Sequence, residues 1–305
     1  MNHKLSKSFC ILSIALLIIF SANIFGQNAQ TQKCADDVDY DAIIAQATKD
    51  IKFSKYNLPA FLKRGRAYIR TNEFEKAFED FQSVTDLNPK ESKAFYFRGY
   101  MYAKRANYEK SIQEFSIAID LNPEYADAFY GRGRSYDFKN ELNLAFDDFS
   151  KVISLDSNYL EAYYTRGAVN QKLLNQKEAL KDWSKANDII TEEINLSPKN
   201  VCSFDNYTRR GMLYVVSGDL KKGLADYNKS IELKSNDFEA YYYRAELHLR
   251  QNNARAAIND LNTAIKLDGD FAENYFQRAI AYEKLGETEK AKADRQTYEE
   301  LSKKP

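Results

Sequence analysis

Few side chains in this sequence are equipped for covalent chemistry. Among 305 residues there are two histidines, His3 and His248, and three cysteines, Cys10, Cys34 and Cys202. A general acid or base is most often a histidine held beside a carboxylate or nucleophile, and His248 reads instead as a packing residue in a helix. The sequence carries no glycine-rich phosphate loop, serine elbow, CxxC or HExxH pattern. Adjacent acids such as Asp147-Asp148 and Glu192-Glu193 read as solvated helix faces rather than cation ligands. No catalytic residue, no metal and no cofactor is expected. With 44 Lys+Arg against 44 Asp+Glu, the chain also lacks the basic excess that phosphate neutralisation requires, so no nucleic-acid partner is expected.

What the sequence does offer is aromatic and charged side chains at fixed spacing. Gly65, Gly99, Gly133 and Gly167 lie 34 residues apart, Gly211 follows after 44, and Ala245 and Ala279 continue the 34-residue beat. Seven copies therefore run from Leu58 to the end, with ten extra residues between the fourth and fifth. Counting Leu58 as position 1, position 4 is Phe61, Phe95, Phe129, Tyr163, Tyr207, Tyr241 and Tyr275. Position 11 is Tyr in five copies, with Asn170 and His248 as exceptions. Position 20 is small throughout (Ala77, Ser111, Ala145, Ala179, Gly223, Ala257, Ala291), and position 24 is large in all but the last copy, where it is Arg295.

Positions 4, 8, 11 and 17, 20, 21, 24, 27, 28 mark one face each of two successive helices. A glycine inside a helix costs about 1 kcal/mol relative to alanine. Its recurrence at position 8 therefore implies close approach of a neighbouring helix, and the small position 20 predicts a notch for the position 4 and 24 rings. Position 7 is Arg in every copy and position 23 is Asp or Glu in every copy. Recurrence of both signs in register predicts a ladder of Arg–carboxylate pairs tying first helix to second.

These copies resemble tetratricopeptide repeats. The resemblance rests on the position 4 aromatic, Gly65 and its equivalents, the position 11 Tyr, the position 20 Ala, the position 24 ring and Pro89/Pro123, and covers residues 58–305. It implies an all-α fold, a right-handed α-solenoid of seven helix pairs, with a concave groove lined by the first helices. On that implication, Tyr96, Tyr130, Tyr164, Tyr242 and Phe276 at position 5 join Tyr100, Arg134 and Phe138 as a partner-binding groove. Tyrosine offers large contact area at little entropic cost; the alternative is that these rings pack between neighbouring first helices. The basic-and-Asn clamp by which some family members hold a C-terminal carboxylate does not map, since Leu62, Arg66, Phe97 and Asp127 stand at its positions.

The remaining segments are read separately. Residues 1–26 resemble a secretory signal, with His3, Lys4 and Lys7 before an uncharged run and a cut after Gly26 or Ala22. The alternative is an uncleaved anchor over residues 8–26, and without Lys4 and Lys7 the chain holds 42 basic against 44 acidic residues. Residues 27–57 are expected to form a flexible segment followed by a capping helix from Asp41 to Lys52. Cys34 and Cys202, several repeats apart, read as free or intermolecular thiols. The ten-residue excess near 190–203 is placed as seven residues inside the second helix of copy four, with Ile189, Ile190 and Ile194 as its apolar positions, and three in the linker. The expectation is an exported, non-enzymatic scaffold of bacterial envelope type that binds an extended protein segment. A glycan or cell-wall binding module is the alternative.

Overall fold

The computed structural model describes residues 38–196 and 203–303. Residues 1–37, which include the segment read as a signal and Cys34, and Cys202 lie outside the described residues. Among those described, all regular structure is helical, in fifteen helices packed as sequential antiparallel pairs, seven pairs preceded by one helix. The chain divides into two compact units, one up to Asp182 and one from Trp183.

In the first unit α1 (Tyr40–Phe53) packs on α2 (Leu58–Arg70), and α2 pairs with α3 (Phe74–Leu87). The pairs α4 (Ser92–Lys104) with α5 (Tyr108–Leu121) and α6 (Ala126–Phe138) with α7 (Leu142–Leu155) follow, then α8 (Leu160–Lys172) and the start of α9 (Gln176–Leu196). The second unit holds the rest of α9 and three pairs. These are α10 (Phe204–Val216) with α11 (Leu220–Leu233), α12 (Phe238–Arg250) with α13 (Ala254–Leu267), and α14 (Ala272–Lys284) with α15 (Thr288–Leu301). Helix α9 has 21 residues, seven more than the 14 of α7 or α11, which is close to two turns. Ile189, Ile190 and Ile194 on it are buried, and Glu193 accepts a 3.1 Å hydrogen bond from Asn206 of α10.

Every pair turns in the same way. The residue at position 15 has positive φ in all seven copies: Asn72, Ala106, Asn140, Leu174, Gly218, Asn252 and Gly286. The next amide then donates back to the position 11 carbonyl, as Glu73 does to Tyr68 at 2.8 Å and Asn175 to Asn170 at 2.8 Å. This closes the first helix with a left-handed residue. It also delivers position 16 as N-cap of the second helix, and Asn107, Asp219 and Asn253 accept there from the amide three residues on.

The close approach at position 8 is made by the position 24 ring. A Cβ on Gly65 would lie 2.8 Å from Phe81, on Gly99 2.9 Å from Phe115, on Gly133 2.9 Å from Phe149, and on Gly211 2.6 Å from Tyr227. The notch expected at position 20 is filled differently. A Cβ on Gly223 would meet Val215 at 2.6 Å and the Gly211 carbonyl oxygen at 3.1 Å, so the small residue admits the first helix itself rather than a ring. The position 4 rings instead lie beside the guanidinium one turn along their own helix, as in Arg132 over Phe129 (5.5 Å) and Arg210 over Tyr207 (5.4 Å).

The ladder is present on all seven rungs. Arg64–Asp80, Arg132–Asp148, Arg166–Asp182, Arg210–Asp226, Arg244–Asp260 and Arg278–Asp294 each form two hydrogen bonds through Nε and Nη2, and Arg98–Glu114 forms one. The third nitrogen does something the sequence reading missed. Nη1 donates backward to the preceding second helix: Arg132 to Ser116 (3.1 Å), Arg166 to Ser150 (3.1 Å), Arg244 to Asn228 (2.8 Å) and Arg278 to Asn262 (2.8 Å). Arg64 does the same to Thr48 of α1 at 3.1 Å, so α1 stands as the second helix of a repeat before the first.

Candidate binding surface

First helices carry the residues expected to line a groove, and the structure buries most of them. Tyr96, Tyr100, Tyr130, Arg134, Tyr164 and Tyr242 are all less than 9% exposed, Phe276 is half-buried, and Phe138 is exposed at 39%. Of the two arrangements left open, exposed faces or packed rings, the tyrosines adopt the packed one. Tyr96 and Tyr130 are each held between a ring of their own second helix and the ring closing their repeat. Tyr96 lies 5.7 Å from Phe115 and 5.0 Å from Tyr125, and Tyr130 lies 5.7 Å from Phe149 and 5.3 Å from Tyr159. Tyr242 meets Phe271 edge-on at 5.4 Å. Sequence reasoning missed these covering rings, whose signal was an aromatic at position 34 in three copies: Tyr125, Tyr159 and Phe271.

Burial shapes the chemistry of the hydroxyls. It pushes the Tyr100 phenol up to about 12 and those of Tyr96 and Tyr242 well above their ordinary value. All three phenols therefore stay neutral across the physiological range. Tyr159 donates to Asp127 at 2.9 Å, and desolvation raises that carboxyl despite the bond. Phe138 stacks on Tyr108 at 4.9 Å with planes 8° apart, and the Arg134 guanidinium lies 5.2 Å from its centre.

A second feature was legible but unread. Position 2 is acidic in five consecutive copies, as Asp127, Glu161, Asp205, Glu239 and Glu273. In the first unit Glu161 is 4% exposed. In the second unit Asp205 pairs with Arg209 at 2.9 Å, and burial first, with Asp205 adding to it, lifts Asp237 at the start of α12 to about 6. Glu246, in the middle of α12, is 3% exposed and is lifted by burial to about 7, against the opposing pull of Arg250 at 3.3 Å. His248, the one histidine among the described residues, is held below its ordinary value by burial; its Nε2 lies 3.8 Å from Asp260. Among the described residues no group of three or more His, Cys, Asp or Glu is arranged to hold a metal ion, and no helix is long and apolar enough to cross a membrane.

Helix pairs of this construction, closed by left-handed turns and locked by glycine-docked rings, define a helical-repeat scaffold. Family models described as tetratricopeptide repeat or TPR repeat match residues 58–91, 99–137, 126–159, 208–270 and 244–300. Together these cover more than half of the chain, which belongs to the tetratricopeptide repeat family. Proteins of this family are typically non-enzymatic scaffolds for protein–protein interaction. No curated protein sequence matches the chain. Solved structures show the fold in a tetratricopeptide repeat protein from Parabacteroides merdae (17% identity, 80% of this chain and 93% of that one, TM-score 0.59). They show it also in the APC/C hetero-tetramer Cut9–Hcn1 (16%, 100% and 55%, TM-score 0.62) and in yeast Tom70 (17%, 87% and 55%, TM-score 0.59). The chain thus spans just over half the length of the last two.

Proposed function

We propose that this protein is an exported, non-enzymatic scaffold whose first helices hold an extended segment of a protein partner on the concave side. One observation carries the reading. Polar side chains are buried along the first helices of the second unit at positions 3, 6 and 9: Asn274, Gln277 and Glu246. Burying such groups opposes folding unless each is paired, and the tie between first and second helix is already made by the Arg ladder. Their retention fits a face built to pair with main-chain and side-chain groups of another molecule. The signal pattern in residues 1–26 supports export, with cleavage after Gly26 or Ala22.

A glycan-binding module needs open ring faces for sugars to stack on. Phe138 is exposed but already stacked on Tyr108, and Phe276 is half-buried against Tyr298 at 5.0 Å. That observation favours a protein segment. Chemical cross-linking in cells followed by pull-down should capture a protein joined to the first-helix face, while titration with peptidoglycan fragments should give no binding heat. Saturable heat from the fragments with no cross-linked protein would overturn the proposal. N-terminal sequencing of the fractionated protein tests export, and an intact Met1 in the cytosolic fraction would refute it.

A further inference from the structure

Between α12 and α14 the second unit departs from its own repeat pattern. Position 3 is Ala60, Ala94, Ala128, Ala162 and Ala240 in five copies, but Asn274 in the last. Position 6 is Phe97 or Tyr243 where a ring stacks on the preceding repeat, but Gln277 in the last. Position 9 is Met212 and Ile280 on the flanking first helices, but Glu246 on α12. Helix packing requires none of these polar groups.

Their hydrogen bonds are incomplete. Asn274 is fully buried with neither amide atom bonded, and Gln277, 3% exposed, has no donor for its Oε1. Gln277 lies beside the Tyr242 hydroxyl, which sits one turn before Glu246 on α12. Glu246 has one long contact, 3.3 Å to Arg250. An amide at position 3 does find a partner where the structure provides one, since Asn206 donates to Glu193 at 3.1 Å. Two unpartnered acceptors one turn apart on α14, Asn274 Oδ1 and Gln277 Oε1, and a loosely held carboxylate that shares Tyr242 with Gln277 call for a group rich in donors. An ammonium or guanidinium carries donors only. A further carboxylate, Glu273 in the first turn of α14, acts on the same Tyr242 hydroxyl.

We infer that Glu246, Gln277, Asn274 and Tyr242 form a subsite for one lysine or arginine side chain of the bound segment. The inference rests on the segment-holding reading above. The incoming cation takes over the long contact that Arg250 now makes, its donors meet Gln277 Oε1 and Asn274 Oδ1, and the Asn274 nitrogen is left for a backbone carbonyl of the same segment. The charged and titratable groups facing Glu246 are Tyr242 and Arg250 on its own helix, with Glu273 of α14 acting on the same tyrosine.

The test uses fluorescence anisotropy with three labelled twelve-residue Ala/Ser peptides, bearing four lysines, four glutamates or no charge. Wild type, Glu246→Gln and the apolar near-isostere Gln277→Met are compared at pH 6 and pH 8, each checked for native circular dichroism. The lysine peptide should bind wild type at least tenfold tighter than the glutamate peptide. Its binding should tighten about tenfold from pH 6 to pH 8 as the carboxyl ionises. Glu246→Gln should lose both effects, and Gln277→Met should weaken binding while keeping the pH response. Equal binding of the lysine peptide to wild type and Glu246→Gln, or a flat pH response in wild type, overturns the subsite. If the uncharged peptide binds as tightly as the lysine peptide, the subsite fails and the segment-holding reading stands. If none of the three binds, both fail.

Discussion

Arg98 and Glu114 hold each other through one hydrogen bond, Nη2 to Oε1 at 2.6 Å, on a ladder whose six other rungs hold through two. The cause is one methylene. Glutamate reaches further than aspartate and meets the guanidinium off its fork, leaving Arg98 Nε and Glu114 Oε2 buried without partners. Glu114→Asp should restore the two-point geometry of Arg132–Asp148 and satisfy both atoms. A hydrogen bond to a charged group is worth about 1.5 kcal/mol or more, and some is lost to tightened packing. A gain of about 1 kcal/mol in urea unfolding is expected, and any loss of stability would count against the account. Arg132→Lys should lose about 2 kcal/mol, because lysine cannot serve Asp148 twice and Ser116 as well.

Phe115 is gripped from two sides, by Gly99 of its own repeat and Gly131 of the next. A Cβ on Gly131 would overlap the ring, whose opposite side packs on the Gly99 backbone so closely that a Cβ there too would lie only 2.9 Å away. The ring has nowhere to retreat. Gly131→Ala gains about 1 kcal/mol of helix propensity but forces overpacking that costs about 1–3 kcal/mol. Net destabilisation of about 1 kcal/mol is expected by chemical denaturation, and Phe115→Leu in the same chain should relieve part of it. A stabilised Gly131→Ala would show that the neighbouring helices slide apart freely.

Leu174 sits at φ 63° in a turn where five of the seven copies use asparagine or glycine, and its side chain is 87% exposed. A left-handed leucine costs about 1–2 kcal/mol, and it gains no burial here in return. Leu174→Asn should raise the urea midpoint by an amount equal to about 1 kcal/mol with an unchanged slope. Gly218→Ala, the reverse change at the equivalent turn, should lower it by a similar amount. An unmoved midpoint in Leu174→Asn would mean that the leucine is held by contacts absent from the structure.

The contrast between what the sequence revealed and what it hid follows from the kind of information each feature carries. Gly65, Phe81, Arg64 and Asp80 recur at fixed offsets because the same contact is made in every repeat, so periodicity alone exposes them. Left-handed position 15 was equally periodic, but Ala106 and Leu174 masked the asparagine and glycine pattern. Exposure of Tyr96 or Tyr130 is another matter. A position 5 ring and its cover, Tyr125 or Tyr159, are 29 residues apart, and whether the second shields the first depends on how tightly a repeat closes. Asn274 and Gln277 were invisible for the opposite reason: they break the pattern, and their meaning lies in bonds they fail to make.

Glu246 also sets a pH dependence of stability whose sign can be worked out. An unfolded glutamate titrates near 4.3, and the folded carboxyl is raised by burial to about 7. Between those values the folded state holds a proton that the unfolded state has released, so this group's contribution falls as pH rises through the window and its cost is fully present above it. Glu246→Gln removes the titration. At pH 8 the variant should be more stable than wild type by on the order of 2 kcal/mol, after allowing for the lost Arg250 contact. The difference should shrink towards zero by pH 5. Asp237 contributes with the same sign, and His248, lowered by burial, with the opposite one. Both are common to the two proteins and cancel in the difference. Urea titrations of the pair at pH 5, 6, 7 and 8 measure it directly, and a gap that stays constant over that range would show that Glu246 keeps its charge in the fold.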